Sequence, residues 1–175
     1  MDNKFGYPKE FQTHHNFIYE LVRTTNCRKY LELGIFEGNC ISKIASIVDK
    51  AVGVDINNSH NKNNFTFVQN TTDIFFSNNT ELFDIIFIDA DHHYEAVLTD
   101  FRNALKVLNK HGIIILHDTD PMYPYLLSQS YCGDSFKMLS YLKENHPELY
   151  VINLPISEAG LTLISRIGDQ RHLQF

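Results

Sequence analysis

The sequence predicts an α/β protein whose sheet is mostly parallel and covered by helices on both faces. Two observations carry that expectation. Short apolar runs alternate with helix-periodic segments five times, the pattern of parallel strands joined by crossover helices. The chain then closes with two strand-like runs, 150–154 and 161–164. Their link holds Pro155 and Gly160 and is too short for a crossover, so one of the two runs antiparallel. With 175 residues, 43% of them hydrophobic, the chain is expected to be a single domain, 1–175, with a sizeable core. Residues 1–25 form an N-terminal helical segment and 26–175 the α/β core.

Each element has a local cause. Pro8 opens a helix in which Phe11, His14, Ile18 and Leu21 recur at helical spacing, ending near Thr24. Residues 30–33 are the first strand. Ile41, Ile44, Ala45 and Val48 give the next helix an apolar stripe. A second strand, 50–54, is closed by Asp55, and a third spans 65–68. A short helix over 71–78 carries Ile74, Phe75 and Phe76. Residues 83–88 are nearly all apolar, as a centre strand covered on both faces should be. Tyr94, Val97, Leu98, Phe101, Leu105 and Leu108 mark the clearest helix, Gly112 ends its connection, and 113–116 is the fifth strand. An irregular stretch, 119–133, contains Pro121 and Pro124, and Phe136, Leu139 and Leu142 announce a last helix.

Composition excludes several classes. A formal net charge of −6 without a Lys/Arg cluster argues against nucleic acid as a partner. No apolar run reaches membrane-span length, and the N-terminus lacks the apolar core of a signal peptide, so no membrane association is expected. Cys27, Cys40 and Cys132 are widely spaced and suit neither a disulfide framework nor a zinc knuckle, which points to the cytoplasm. Cys40, in a helical pattern, reads as a small core residue.

The chain is organised around 29–39, KYLELGIFEGN, where a strand breaks at Gly34 and a helix begins after Gly38. Glycines there allow a tight bend and close approach of a ligand, and the helix behind them directs N–H groups at whatever sits in front. The spacing is neither G-x-G-x-x-G nor a Walker A loop, and a plain tight turn fits it equally well. The other strand ends add Asp55, the run Asn70–Asp73, the run Asp89–His93, and His117 with Asp118. In an open α/β sheet these ends share one edge, where ligands bind. Asp55 lies about twenty residues beyond the turn, where an acid accepts from ribose hydroxyls, though a turn aspartate before Asn57 is the blander reading. Asp73 reaches an adenine amino group or caps the short helix.

The segments LELGIFEG, VGVDIN, FDIIFIDADHHYEAV and GIIILHDTD, within roughly 30–120, resemble the class I S-adenosylmethionine-dependent methyltransferases. Among these they are similar to the small-molecule branch that methylates catechol and macrolide-sugar hydroxyls. The resemblance implies a Rossmann-like seven-stranded sheet with an antiparallel last strand. It implies that Glu32, Gly34 and Gly38 hold the methionine half of S-adenosylmethionine and Asp55 its ribose, with Ile35, Phe36, Ile56, Thr72, Asp73 and Asp89 also in the cofactor site. Asp89 and Asp118 match ligands of a divalent metal, and His92, three residues past Asp89, matches a general base. His117 stands where related enzymes often carry an acid; as a third metal ligand it shifts preference from Mg²⁺ toward Mn²⁺, Fe²⁺ or Zn²⁺.

The implied reaction is methylation of a hydroxyl on a small sugar- or phenol-type substrate. An alcohol is a poor nucleophile, so a metal that lowers its pKa and a histidine that takes its proton both serve the chemistry. Two competing readings use the same edge. One is a metal-dependent oxygenase or hydrolase in which His92, His117 and an aspartate form a facial triad. The other is a non-catalytic adenosine-binding module. Substrate walls are expected from 1–15 and 119–133, which carry Phe5, Tyr7, Tyr123, Tyr125 and Tyr131. A homodimer through the N-terminal helix or the tyrosine-rich loop is left open.

Overall fold

The structure, a computed structural model, describes residues 13–58 and 64–166. Its elements are α1 (Thr13–Thr24), β1 (Lys29–Leu33), α2 (Asn39–Ile44), β2 (Lys50–Asp55), β3 (Thr66–Gln69), α3 (Thr72–Asn78), β4 (Phe83–Ile88), α4 (Tyr94–Val107), β5 (Leu108–His117), α5 (Lys137–Asn145), β6 (Leu149–Leu154) and β7 (Leu161–Arg166). The helix start at Pro8, and Phe5 and Tyr7, lie outside the described residues. No helix among the described residues is long and apolar enough to cross a membrane.

The seven strands form one sheet in the order β3-β2-β1-β4-β5-β7-β6. The first five pair in parallel, and β7 runs antiparallel to both β5 and β6. The antiparallel strand is therefore β7, fed by the short link from β6.

Strand alternation divides the core into two layers. Leu31, Leu33, Val52, Val54, Ile86 and Ile88 face Phe75, Phe101, Met138 and Leu142 from α3, α4 and α5. Tyr30, Ala51, Ile85, Phe87 and Ile115 face Ile18, Val22, Ile41 and Ile44 from α1 and α2. Because β4 lies mid-sheet with helices on both sides, its continuous apolar run is what its position requires. The strand order reverses between β1 and β4, which opens a crevice at their carboxyl ends.

Two boundaries differ from the sequence expectation. The α2 helix stops at Ile44 because the Ser46 and Ile47 N–H groups donate to Lys43 and Ile44 carbonyls, tightening the last turn; Ile47 and Val48 still pack on the core from that turn. The β5 strand starts at Leu108, which pairs with Phe83 before a register shift. Gly112 lies inside it, where a Cβ would stand 2.9 Å from the Asp84 carbonyl oxygen. The irregular stretch contains a 3₁₀ turn, Pro124–Leu127, that no periodicity announced.

Candidate active site

A cavity of about 620 Å³ opens at the carboxyl ends of the strands. Its first wall is the glycine turn. Gly34 has φ +80°, and a Cβ on it would lie 2.1 Å from the Asp89 carbonyl oxygen and 2.5 Å from Ala90 Cα. A close approach that demands glycine therefore comes from the protein's own β4 end, while Gly34 also lines the cavity. Gly38, at φ +69°, precedes α2, and its N–H donates to the Ile35 carbonyl (2.6 Å). It stands behind the cavity wall, whereas Gly34, Ile35 and Phe36 are on it.

Asp55 braces this turn. Its Oδ2 accepts from the Ile35 and Phe36 N–H groups, both at 3.0 Å, and its Oδ1 accepts from Asn57 N–H at 2.8 Å. The turn-aspartate role is thus filled, while Asp55 still lines the cavity. Phe36 and Ile56 flank it, 74% and 64% exposed, as apolar lips at the mouth.

Glu32 forms the floor and is only 2% exposed. The Tyr30 hydroxyl donates to its Oε2 at 2.7 Å and lies 3.8 Å from Cys40 Sγ. Burial pushes the Glu32 carboxyl up to about 8, although Tyr30 and Cys40 favour its anion; the Asp89 charge pushes the same way as burial. Cys40 is buried, as expected, and also lines the cavity.

Thr72 and Asp73 are not among the cavity residues. They begin α3, but the cap is Thr71, whose side chain accepts from Ile74 N–H, so Asp73 does not cap. The Thr72 side chain instead favours the anion of Asp100 on α4, against the burial that pushes that carboxyl up to about 6.

The ends of β4 and β5 carry the charged cluster. His117 Nδ1 lies 3.0 Å from Asp89 Oδ1 and 3.1 Å from Asp118 Oδ1. Burial opposes its charge, but Asp89 and then Asp118 outweigh burial and hold the imidazole protonated well above its usual range. Asp118 sits at φ +62° and is 5% exposed. Burial works against its ionisation, yet His117, His92 and the Cys132 thiol keep it below the usual carboxylate range. His92 Nε2 is 3.3 Å from Asp118 Oδ2. Burial first, and the Asp118 charge next, push the Cys132 thiol up.

One ligand atom each from Asp89, His92 and Asp118 lie within 4.8 Å of one another, a donor set that fits a divalent ion. The expected set named His117; the geometry puts His92 there and ties His117 to the two carboxylates. The facial triad of His92, His117 and an aspartate is not formed among the described residues.

The remaining wall comes from two loops that the sequence did not connect. Leu126, Ser130, Tyr131 and Cys132 line the cavity from the irregular stretch, and Ser157, Glu158 and Ala159 from the β6–β7 link. Asp120 N–H donates to the Ala159 carbonyl and Met122 N–H to that of Glu158, both at 2.8 Å. Tyr123 and Tyr125 stack on each other outside the cavity, and the Tyr125 hydroxyl donates to Glu158 Oε2 (2.9 Å). His14 and His15 close the wall from α1, with the His14 ring 4.4 Å from that of His117. The β6–β7 residues carried no sequence signal beyond the turn formers Pro155 and Gly160.

A family model described as a methyltransferase domain matches residues 31–119. An uncharacterized protein of Acanthamoeba polyphaga mimivirus is 27% identical over 67% of this chain and 63% of its own length, so the chain spans less than two thirds of that relative. The O-methyltransferase of Bacillus cereus, solved with SAH, superposes with a TM-score of 0.71 at 20% identity, covering 91% of this chain and 84% of that one. The O-methyltransferase TomG of Streptomyces achromogenes, involved in tomaymycin synthesis and solved with SAM, gives 0.67 at 17% identity, covering 89% and 80%. Both likenesses show the fold.

Proposed function

The chain belongs to the methyltransferase-domain family, and we propose that it transfers a methyl group from S-adenosylmethionine to a hydroxyl of a small sugar- or phenol-type acceptor. One observation carries this reading: the braced glycine turn with Asp55 and Glu32 and the His92–Asp118–His117 cluster line a single cavity. Asp55, Glu32 and the lips Phe36 and Ile56 would hold the cofactor, which when bound would supply a methyl on a positively charged sulfur. Displacement at that carbon requires the acceptor oxygen behind the methyl, and positioning provides much of the rate. His92 takes the acceptor proton, and Asp118 orients its ring and stabilises the imidazolium that forms. His117 keeps Asp89 and Asp118 apart as charges and fixes where they point.

The lining also supports the acceptor class. Glu32, Glu37, Asp55, Asp89, Asp118 and Glu158 line the cavity, with no Lys or Arg among the described lining residues. An acceptor bearing phosphate or carboxylate is disfavoured there, and nucleic acid with it. Tyr131 presents a ring for stacking against a sugar or phenol. All three cysteines are free, which supports the reducing cytoplasm as its location.

A second reading of the catalytic step rests on the ligand geometry. A divalent ion held by Asp89, His92 and Asp118 would lower the pKa of the acceptor hydroxyl, and the imidazole would favour Mn²⁺, Fe²⁺ or Zn²⁺ over Mg²⁺. His92 is then a ligand, and the base lies elsewhere. Calorimetric titration with S-adenosylmethionine after exhaustive chelation tests the main reading. Cofactor binding without metal is the expected result; binding of Mn²⁺ but not of the cofactor would overturn it.

A further inference from the structure

The acids lining the cavity have partners of different kinds, and Glu32, only 2% exposed, is held by neutral groups alone. Four groups bear on it. Tyr30, two residues back on β1, places its hydroxyl 2.7 Å from Oε2. Cys40, on α2, and the Ile41 backbone N–H favour its anion. Asp89, at the end of β4, contributes only like charge. The side chain is enclosed on β1 between these elements, yet it is on the cavity wall. A carboxylate in such a place is stable only when a positive charge is brought to it or when it keeps its proton.

We propose that Glu32 is uncharged in the empty cavity and gives up its proton when the cationic cofactor enters, with Tyr30 as the positioning residue that fixes the carboxyl for that exchange. This deepens the methyltransferase reading and rests on it. The proton leaves the carboxyl oxygen for the buffer, and the negative charge left behind would offset the positive charge that the cofactor brings into the cavity. The high proton affinity that burial confers on Glu32 agrees with this geometry. Tyr30 is fully buried behind Glu32 and absent from the cavity wall, so it acts through Glu32. Its hydroxyl donates to the anion and lowers the cost of ionisation, while its ring, packed in the core, holds the donor in place.

Binding then has a proton in its stoichiometry. Titration of the wild-type protein with S-adenosylmethionine at pH 6.5, in buffers of different ionisation enthalpy, should show about one proton released per cofactor bound. Affinity should rise about tenfold per pH unit between pH 5.5 and 7.5. Glu32→Gln should release no proton and lose that slope. Tyr30→Phe should move the affinity curve to higher pH, so that raising the pH restores binding; a merely structural tyrosine would weaken binding equally at every pH. Binding by the wild type without proton release overturns this proposal and leaves the methyltransferase reading standing. Failure to bind at any pH overturns both. The wild-type proton count needs no variant to fold.

Discussion

Glu32 and Asp118 are buried carboxyl groups in the lining of the same cavity, and they meet burial with opposite results. Glu32 has a hydroxyl and a thiol for partners, and burial pushes it up to about 8. Asp118 has two imidazoles and a thiol, and it stays below the ordinary carboxylate range. The β-strand edge delivers both acids to the site, but the neighbours decide their charge. In the proposed function the Glu32 side of the cavity is the one prepared to receive a positive charge. The catalytic wall already contains one, in His117, and spends it on holding two carboxylates 3.0 and 3.1 Å from one nitrogen.

The most damaging way to break this difference is to remove the cation. His117→Ala leaves Asp89 and Asp118 facing each other without it, and unpairing a buried charge costs about 3–5 kcal/mol. Urea unfolding should show a loss of that order, with cofactor affinity changed less than stability. A loss below about 1 kcal/mol would mean that His117 does not pair these acids.

The next effect sharpens the cofactor side. Glu32 binds its proton more tightly in the folded chain than in the unfolded one, where a carboxyl titrates near 4.5. Its contribution to stability is therefore complete below the unfolded value and is lost as pH rises toward about 8. Glu32→Gln cannot lose that contribution. Relative to the wild type it should gain at least about 2 kcal/mol between pH 5 and pH 8, read from unfolding curves at the two values. A constant difference across that range would show that Glu32 is ionised in the free protein.

Asp55 is intermediate, because it couples the turn to the cofactor. Asp55→Ala leaves the Ile35, Phe36 and Asn57 N–H groups without their acceptor. We expect at least about a tenfold loss of S-adenosylmethionine affinity by calorimetry, with about 1–3 kcal/mol of stability lost alongside it. Unchanged affinity would confine Asp55 to the turn.

How well the sequence could be read also divides along these walls. The cofactor wall is built from spacing within one strand, one turn and the next strand end, so Gly34, Asp55 and Glu32 could be located from local pattern. The purpose of Gly34 was not legible, because the backbone that crowds it belongs to Asp89 and Ala90, more than fifty residues away. The alternation of apolar runs gave the strands, and the short last link gave the antiparallel β7. The catalytic wall was legible for Asp89, His92 and Asp118 as strand-end residues. Their pairing was not, since a hydrogen bond from His117 to two acids depends on side-chain geometry. The acceptor wall was least legible: Leu126, Tyr131, Glu158 and Ser157 come from irregular loops without periodicity, joined by backbone bonds that no residue type announces.

The smallest expected effect tests that last wall. Tyr125 is itself half exposed and outside the cavity, but its hydroxyl holds Glu158, which lies on the cavity wall. An exposed bond of this kind contributes little to folding, so Tyr125→Phe should change stability by less than about 1 kcal/mol. Its consequence should instead appear in the acceptor. Freed from Tyr125, the Glu158 carboxylate loses its fixed direction, and the far end of the acceptor loses a placed hydrogen-bond acceptor. The reacting end, at His92 and Asp118, is held by other elements and should be unaffected. Steady-state rates with an acceptor that turns over should therefore show a several-fold rise in KM with kcat little changed, the pattern of a lost interaction shared by ground state and transition state. Glu158→Gln should reproduce the rise in KM and should weaken amine-bearing acceptors more than neutral ones, because the cavity would lose one of its carboxylates at that end. A fall in kcat with KM unchanged in either variant would place Glu158 with the catalytic cluster, and the two walls would have to be redrawn as one.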